Sequence, residues 1–237
     1  MSVLTGIFIS RAAADRLPLS TALNSISMAS SLSNAFSHVE WDRVIVGELK
    51  VGVAACWHVN RWIFVLREIA MYAQAIAQCV QAVRTMETYL DKAEHYANAK
   101  KFDVAVLLST RLAPDMGALL YQIQSACDYL KGGAAWLSGQ QPPRHEDNEQ
   151  TLEDARARIR KTIEFAQSVA ADQYDDAARQ VVKVSWVPGK LTGENYLLQI
   201  VIPNIYFHVA MAYAILRTNG IDVGKMDFIG PVNAFDA

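Results

Sequence analysis

One histidine on an apolar helical stripe is the strongest indication of chemistry in this sequence. The stripe comprises Leu197, Val201, Ile205, His208, Ala212 and Ile215. Its three- and four-residue spacing is typical of one helix face. Because a buried polar ring needs a hydrogen-bond partner, we expect His208 to be buried and hydrogen-bonded. It is either a structural core histidine or an acid–base group or metal ligand in a polar pocket inside a helical bundle.

Candidate pocket partners for His208 come from the other predicted helices and from its own helix. Asp128 and Gln124 lie one turn apart at the edge of the second stripe. His95 lies near the end of the first helix, in a position also typical of a surface residue. Asp115 falls where a carboxylate favours a helix start. Tyr213 belongs to an aromatic group on the fourth helix that is typical of a core or pocket wall.

The sequence lacks the usual catalytic signatures, including HExxH, GxSxG, a Walker loop and GxGxxG in a suitable setting. Cys127 is a possible nucleophile, but a cysteine on a regular apolar stripe is typical of inert packing. The three cysteines, Cys56, Cys79 and Cys127, form no CxxC pair, and their odd number argues against a disulfide framework. This pattern favours a reducing cytoplasm.

The apolar periodicity predicts four helices. The first stripe begins at Tyr72 and fades through Ala97. The second starts near Pro114 and Asp115, as a first-turn proline and an acidic neighbour favour. Gly139 is placed to end that second helix.

Local signals place the third helix, a hairpin and the fourth helix. Thr151 and Asp154 resemble a capping box before the third stripe. The cluster Arg156, Arg158, Arg160 and Lys161 suggests either an anion site or, as we favour, a solvated outer face. Alternating residues 182–186 and the pair Pro188-Gly189 predict a short hairpin. Thr192 can cap the fourth helix, Asn219-Gly220 can end it, and Pro203 should kink it.

Composition and charge narrow the functional classes. The chain has 237 residues, of which 52% are hydrophobic, and a net charge of -2. No basic patch supports a nucleic-acid partner. The most apolar window, residues 44–66, contains Glu48, Lys50, His58 and Arg61, which are costly in a bilayer, so we predict no membrane partner.

The change in pattern near Met71 predicts the domain organisation. Residues 1–70 show no sustained periodicity and are predicted to be a disordered extension or, as we favour, the product of an incorrectly assigned start. A faint resemblance to an organellar transit peptide is the less favoured alternative. Residues 71–230 are predicted to form one all-α four-helix bundle with the hairpin between its third and fourth helices, and residues 231–237 a tail.

Several segments of the periodic region resemble the domain-of-unknown-function 1993 family, which is placed in the DinB/YfiT-like superfamily of four-helix bundles. These segments are Arg111–Met116, Cys127-Asp128 with Lys131-Gly132, Tyr196–Leu198, Pro203–His208, Ala212–Arg217 with Asn219-Gly220, and Gly224-Lys225 with Asp227-Phe228. The resemblance covers about residues 71–230. It implies a metal site formed by one histidine on the second helix and an HxxxH pair on the fourth. It also implies, for some members, thiol-dependent transferase or isomerase activity.

The sequence departs from that implied metal site. His208 matches the first histidine of the pair, but Ala212 occupies the second position, and Asp128 lies near the second-helix position. Two ligands are too few for a usual zinc site, so a tightly held divalent metal is not expected. We therefore favour a protein that binds a small molecule around His208. A metal- or thiol-dependent transferase or isomerase and a structural module that forms homodimers are the alternatives.

Overall fold

The computed structural model describes the backbone of residues 50–232 and 234, and the side chains of residues 70–232 and 234. The bundle lies within one compact unit that begins at Ala55. The helices are α1 (Lys50–Lys100), α2 (Ala105–Leu108), α3 (Leu119–Leu137), α4 (Leu152–Ser168), α5 (Gly193–Tyr196), α6 (Ile202–Thr218) and α7 (Lys225–Ile229). The π-helical turn Leu197–Val201 joins α5 to α6, so α1, α3, α4 and this composite helix form the predicted all-α four-helix bundle.

Helix α1 begins further upstream than its apolar stripe predicts. It starts at Lys50 rather than Tyr72. The backbone can be helical there because residues 51–70 contain no proline and a single glycine, Gly52. Residues 51–70 lack apolar residues at a period of 3.6, so the sequence pattern did not indicate this part of the helix. The predictions for residues 1–49 lie outside the described residues.

Helix α3 begins later than predicted. Pro114 and Asp115 lie in a turn, and the first helical residue is Leu119. The backbone of Gly117 packs directly against the ring of Tyr121 in α3. A Cβ atom at position 117 would lie 2.2 Å from that ring. The proline therefore belongs to the preceding turn and not to the first turn of the helix.

The predicted C-terminal signals of α3 and α6 are confirmed. Gly139 has a φ of 71°, and the Gln140 N–H donates to the Ala135 carbonyl at 2.8 Å. Gly220 has a φ of 85° after α6, where the Ile221 N–H donates to the Leu216 carbonyl at 3.1 Å. Both ends have the hydrogen-bond pattern of a Schellman motif.

The predicted N-terminal caps are confirmed as well. The Asp154 N–H donates to Thr151 Oγ1 at 3.1 Å, and the Thr151 N–H donates to Asp154 Oδ2 at 2.9 Å. Thr192 accepts from the Asn195 N–H at 3.3 Å. The predicted hairpin is present but short, with β1 (Val181–Val182) antiparallel to β2 (Leu191–Thr192).

The π-helical turn accommodates Pro203 near the start of α6. The Ile202 N–H donates to the Leu197 carbonyl, five residues earlier. Beside the proline, Asn204 Nδ2 also donates to the Ile200 carbonyl at 2.7 Å. The irregularity that the proline predicts therefore takes the form of a π-turn.

The composite helix Gly193–Thr218 is the most apolar helix of the described residues. Its mean hydropathy of 1.4 and its length would permit a membrane span by composition alone. Val201, Ile205 and Val209 are fully buried in the bundle core, however. One face of this helix therefore belongs to the core, and a single helix of this composition is weak evidence for a membrane.

Candidate functional site

His208 is held in one orientation by a glutamine of α3. Its side chain projects from α6 and the residue is 7% exposed. Its Nδ1 lies 2.7 Å from Gln122 Oε1, and Gln122 Nε2 donates to the Gly117 carbonyl at 2.8 Å. Because the amide nitrogen already donates to Gly117, the amide oxygen accepts a proton from Nδ1. The prediction of a buried, hydrogen-bonded His208 is confirmed.

Three aromatic rings surround this imidazole. Tyr129 stacks on it with a centroid distance of 5.8 Å and an interplanar angle of 17°. Tyr121 and Phe207 contact it edge-on, at 6.0 Å and 5.2 Å. Burial lowers the pKa of His208 to about 4, so the ring is neutral at pH 7. Since Nδ1 carries the proton, Nε2 is an acceptor, and it has no hydrogen-bond partner among residues 70–232.

A groove of about 270 Å³ lies on the outer face of α3, and we call it the α3 groove. Its lining residues are Tyr121, Gln124, Ser125, Asp128, Tyr129 and Asp147. Five of the six are spaced three and four residues apart on α3, whereas Asp147 comes from the loop before α4. Tyr121 and Tyr129 therefore line the groove and also contact His208.

A buried arginine of α4 holds the acidic side of the α3 groove. The Arg158 side chain is 0% exposed, and its Nη2 lies 2.8 Å from Asp128 Oδ1 and 3.1 Å from Asp147 Oδ1. Its Nη1 donates to Glu149 Oε1 at 3.0 Å and to the Glu146 carbonyl at 3.1 Å. Arg158 thus fixes the loop 146–149 against α3.

The prediction that the four basic residues of α4 face solvent is wrong for two of them. Arg156 is 7% exposed and Arg158 0%, because carboxylates of α1, α3 and the 146–149 loop accept their hydrogen bonds. Charges can be buried when they are paired in this way. Arg160 and Lys161 do face solvent.

The structure brings together only part of the predicted pocket. Asp128 and Gln124 both line the α3 groove. No hydrogen bond joins Asp128 to His208, because Asp128 pairs with Arg158 and Lys131. His95 and Asp115 are exposed, and neither lines the groove.

Tyr213 lies with a different aromatic group. Its ring contacts Tyr89 at 6.1 Å and Phe228 at 6.4 Å, both edge-on. No ring contact joins it to His208 within the described part of the chain. Tyr213 therefore belongs to the packing between α1, α6 and α7.

Sequence reasoning overlooked Gln122, Tyr121, Tyr129 and Asp147. One signal was available, because residues 121, 125 and 129 recur every four positions on the face beside the apolar stripe. Gln122 is 2% exposed although it is polar, so its partner depends on the packing of α6 against α3. Asp147 lies in a loop, whose position no periodicity predicts.

The residues around His208 do not fit a divalent metal. Its nearest described neighbours are one amide and three aromatic rings, and Ala212 supplies no ligand one turn further on. Within residues 70–232, no group of three histidine, cysteine or acidic side chains is arranged to hold a metal ion.

Both described cysteines are poor nucleophiles. Cys79 is 1% exposed and Cys127 is 0% exposed. Burial raises the pKa of each thiol to about 12, which leaves almost no thiolate at neutral pH. The expectation that Cys127 is packed in the core is confirmed.

Comparisons with known proteins agree with this architecture. The family model described as a domain of unknown function, DUF1993, matches residues 71–229. No curated protein matches the chain. A crystal structure of a DinB family member protein from Shewanella denitrificans is 35% identical, with a TM-score of 0.69. The match covers 73% of this chain and 99% of that chain.

Proposed function

We propose that this chain, which belongs to the DUF1993 family and has the helical fold of a DinB family member, binds a small molecule. The binding site is the α3 groove together with His208. The superfamily metal site is degenerate in this chain, since Ala212 replaces a ligand and Asp128 is engaged by two cations. We place this function in the cytoplasm, as the cysteine pattern favours.

The observation that carries the proposal is the aromatic setting of His208. A structural histidine needs only its hydrogen bond to Gln122 and buried packing. Here Tyr121 and Phe207 contact the ring although they are 54% and 51% exposed. Exposed aromatic side chains around a neutral imidazole with a free acceptor are typical of a ligand site.

An acid–base role at the same site is the enzymatic alternative. Nε2 of a neutral imidazole can accept a proton from a bound molecule, and its low pKa makes it a weak base. The buried thiols do not favour the thiol-dependent alternative. Binding is therefore the primary proposal.

Self-association is the remaining candidate. Tyr121, Trp186, Leu198 and Phe207 are all more than half exposed, which is typical of an interaction surface. Sedimentation equilibrium would measure it. A dimer dissociated by Phe207→Ser would favour the homodimer, and a monomer at high concentration would eliminate it.

Ligand-observed NMR with a fragment library of mixed charge tests the proposed function. Wild-type protein should bind some fragments, and Tyr121→Ala should abolish that binding, because Tyr121 forms both a groove wall and a His208 contact. Met226→Ala is the matched control, since Met226 is 67% exposed and does not line the groove. Binding unchanged in Tyr121→Ala, or absent from wild type, would eliminate the proposal.

A further inference from the structure

The α3 groove contains carboxylate oxygens that are free to bind a ligand. Asp128 Oδ1 accepts hydrogen bonds from Lys131 Nζ at 2.7 Å and from Arg158 Nη2 at 2.8 Å. Asp147 Oδ1 lies 3.1 Å from the same Nη2 atom. The Oδ2 atom of each aspartate has no partner within residues 70–232. Two charged oxygens are thus available to a ligand.

The neutral groups of the groove add further acceptors. Gln124 Nε2 donates to Glu149 Oε2 at 2.8 Å, so the amide oxygen of Gln124 remains available. Ser125 has no hydrogen-bond partner in the described part of the chain, and its hydroxyl can accept as well as donate. A ligand rich in hydrogen-bond donors fits this set.

The local charge also favours a cation. Asp128 and Asp147 have side chains that are 43% and 61% exposed. The two cations that pair with these aspartates are buried. The side chain of Arg158 is 0% exposed and that of Lys131 is 11% exposed. The side chains that line the groove thus include two carboxylates and no cation, so a ligand in the groove meets carboxylate oxygens directly.

The walls of the groove suit an organic cation. Tyr121 and Tyr129 line it beside the two aspartates, and aromatic faces attract cations within about 6 Å of the ring centroid. We propose that the ligand of the α3 groove is a small organic ammonium compound. Its charged group lies between the free oxygens of Asp128 and Asp147, and its apolar part lies on the tyrosines. This inference rests on the proposed function and names the class of ligand.

Calorimetric titration with three matched probes tests the inference: 2-phenylethylammonium, 2-phenylethanol and 3-phenylpropanoate, at pH 7.5 and low salt. The amine should bind at least about tenfold more tightly than the alcohol, since two carboxylates and two rings favour its charge. The carboxylate probe should bind more weakly than the alcohol, because it meets the same negative charge.

Two aspartate variants assign the effect to the groove. Asp147→Asn should weaken amine binding by about fivefold, as expected for one partly exposed charge pair, and should weaken alcohol binding less; equal losses for the two probes would overturn the inference. Asp172→Asn is the control, because Asp172 is exposed on a 3-10 turn away from the groove and should change neither affinity.

The outcomes separate the two proposals. The inference of a cationic ligand would be overturned if the alcohol or the carboxylate bound as tightly as the amine. Failure of the amine to bind would overturn it as well. The proposed function would survive either result if fragments of another charge bind in a manner that Tyr121→Ala abolishes. Loss of all Tyr121-dependent binding would end both.

Discussion

Gln122 and His208 form a buried hydrogen bond across the α3–α6 interface, with 2.7 Å between Oε1 and Nδ1. The amide is fixed because Nε2 also donates to the Gly117 carbonyl. The bond therefore selects the tautomer with the proton on Nδ1 and leaves Nε2 as an acceptor. A nearly buried glutamine thus determines which nitrogen of the imidazole can accept a proton.

Gln122→Met should destabilise the protein by about 1–3 kcal/mol, because the buried Nδ1 of His208 loses its acceptor. Chemical denaturation at pH 7.5 measures the free energy of unfolding. Gln167→Met is the matched control, since Gln167 is exposed on α4 and should change stability by less than about 0.5 kcal/mol. Equal denaturation midpoints for wild type and Gln122→Met would contradict the hydrogen bond.

His208 should make stability depend on pH in a defined window. Its pKa in the folded protein is about 4, lowered by burial from 6.5. Below pH 6.5 the unfolded chain binds a proton that the folded protein does not, so stability falls as the pH drops from 6.5 to about 4. The total loss is about 3 kcal/mol, and above pH 6.5 the titration of this residue no longer changes stability.

The measurement compares wild type with His208→Leu across that window. The variant should lose less stability between pH 6.5 and pH 4.5. His145, whose pKa is also lowered to about 4 by burial and neighbouring cations, is replaced by asparagine in both proteins to remove its contribution. Parallel pH profiles, or an NMR titration of the His208 ring with a midpoint near 6.5, would contradict the burial effect.

Arg158→Met should destabilise the protein by about 3–5 kcal/mol, because removing one partner leaves a buried charge unpaired. Glu149, whose side chain is 4% exposed, would lose its ion pair. Adding Glu149→Gln should restore part of the loss. Arg179→Met, which removes an exposed pair with Asp176, should cost less than about 1 kcal/mol. If the two arginine variants unfold alike, Arg158 does not anchor the loop.

Features that depend on neighbouring residues were predictable from the sequence. The Thr151–Asp154 capping box and the glycines at 139 and 220 act within one helical turn. The four helices follow from apolar periodicity, but that pattern did not detect the upstream part of α1. His208 was found because a polar residue interrupts an apolar stripe.

The remainder of the site depends on contacts between distant residues. Arg158 and Asp147 are paired by the packing of a loop against α3 and α4, and a basic run on a helix gives no indication that one member is buried. Tyr129 and His208 are brought together only when α6 packs against α3. Such pairs depend on three-dimensional proximity, which spacing along one helix does not provide.

A chain that begins at Met71 should fold without the preceding residues. The family match starts there, and a structure that corresponds to 73% of this chain has the same fold. The core contributed by described side chains of α1 begins at Tyr72 and continues through Ala97, so the truncated chain retains it. Cutting α1 at Met71 exposes the first backbone N–H groups of a new helix end, which water can satisfy. We therefore expect one cooperative thermal transition and native helicity by circular dichroism.

A chain cut at Met86, which removes Ile76, Val80 and Val83 from the core, should not fold. If the Met71 chain instead shows no cooperative transition, the upstream part of α1 contributes to the core.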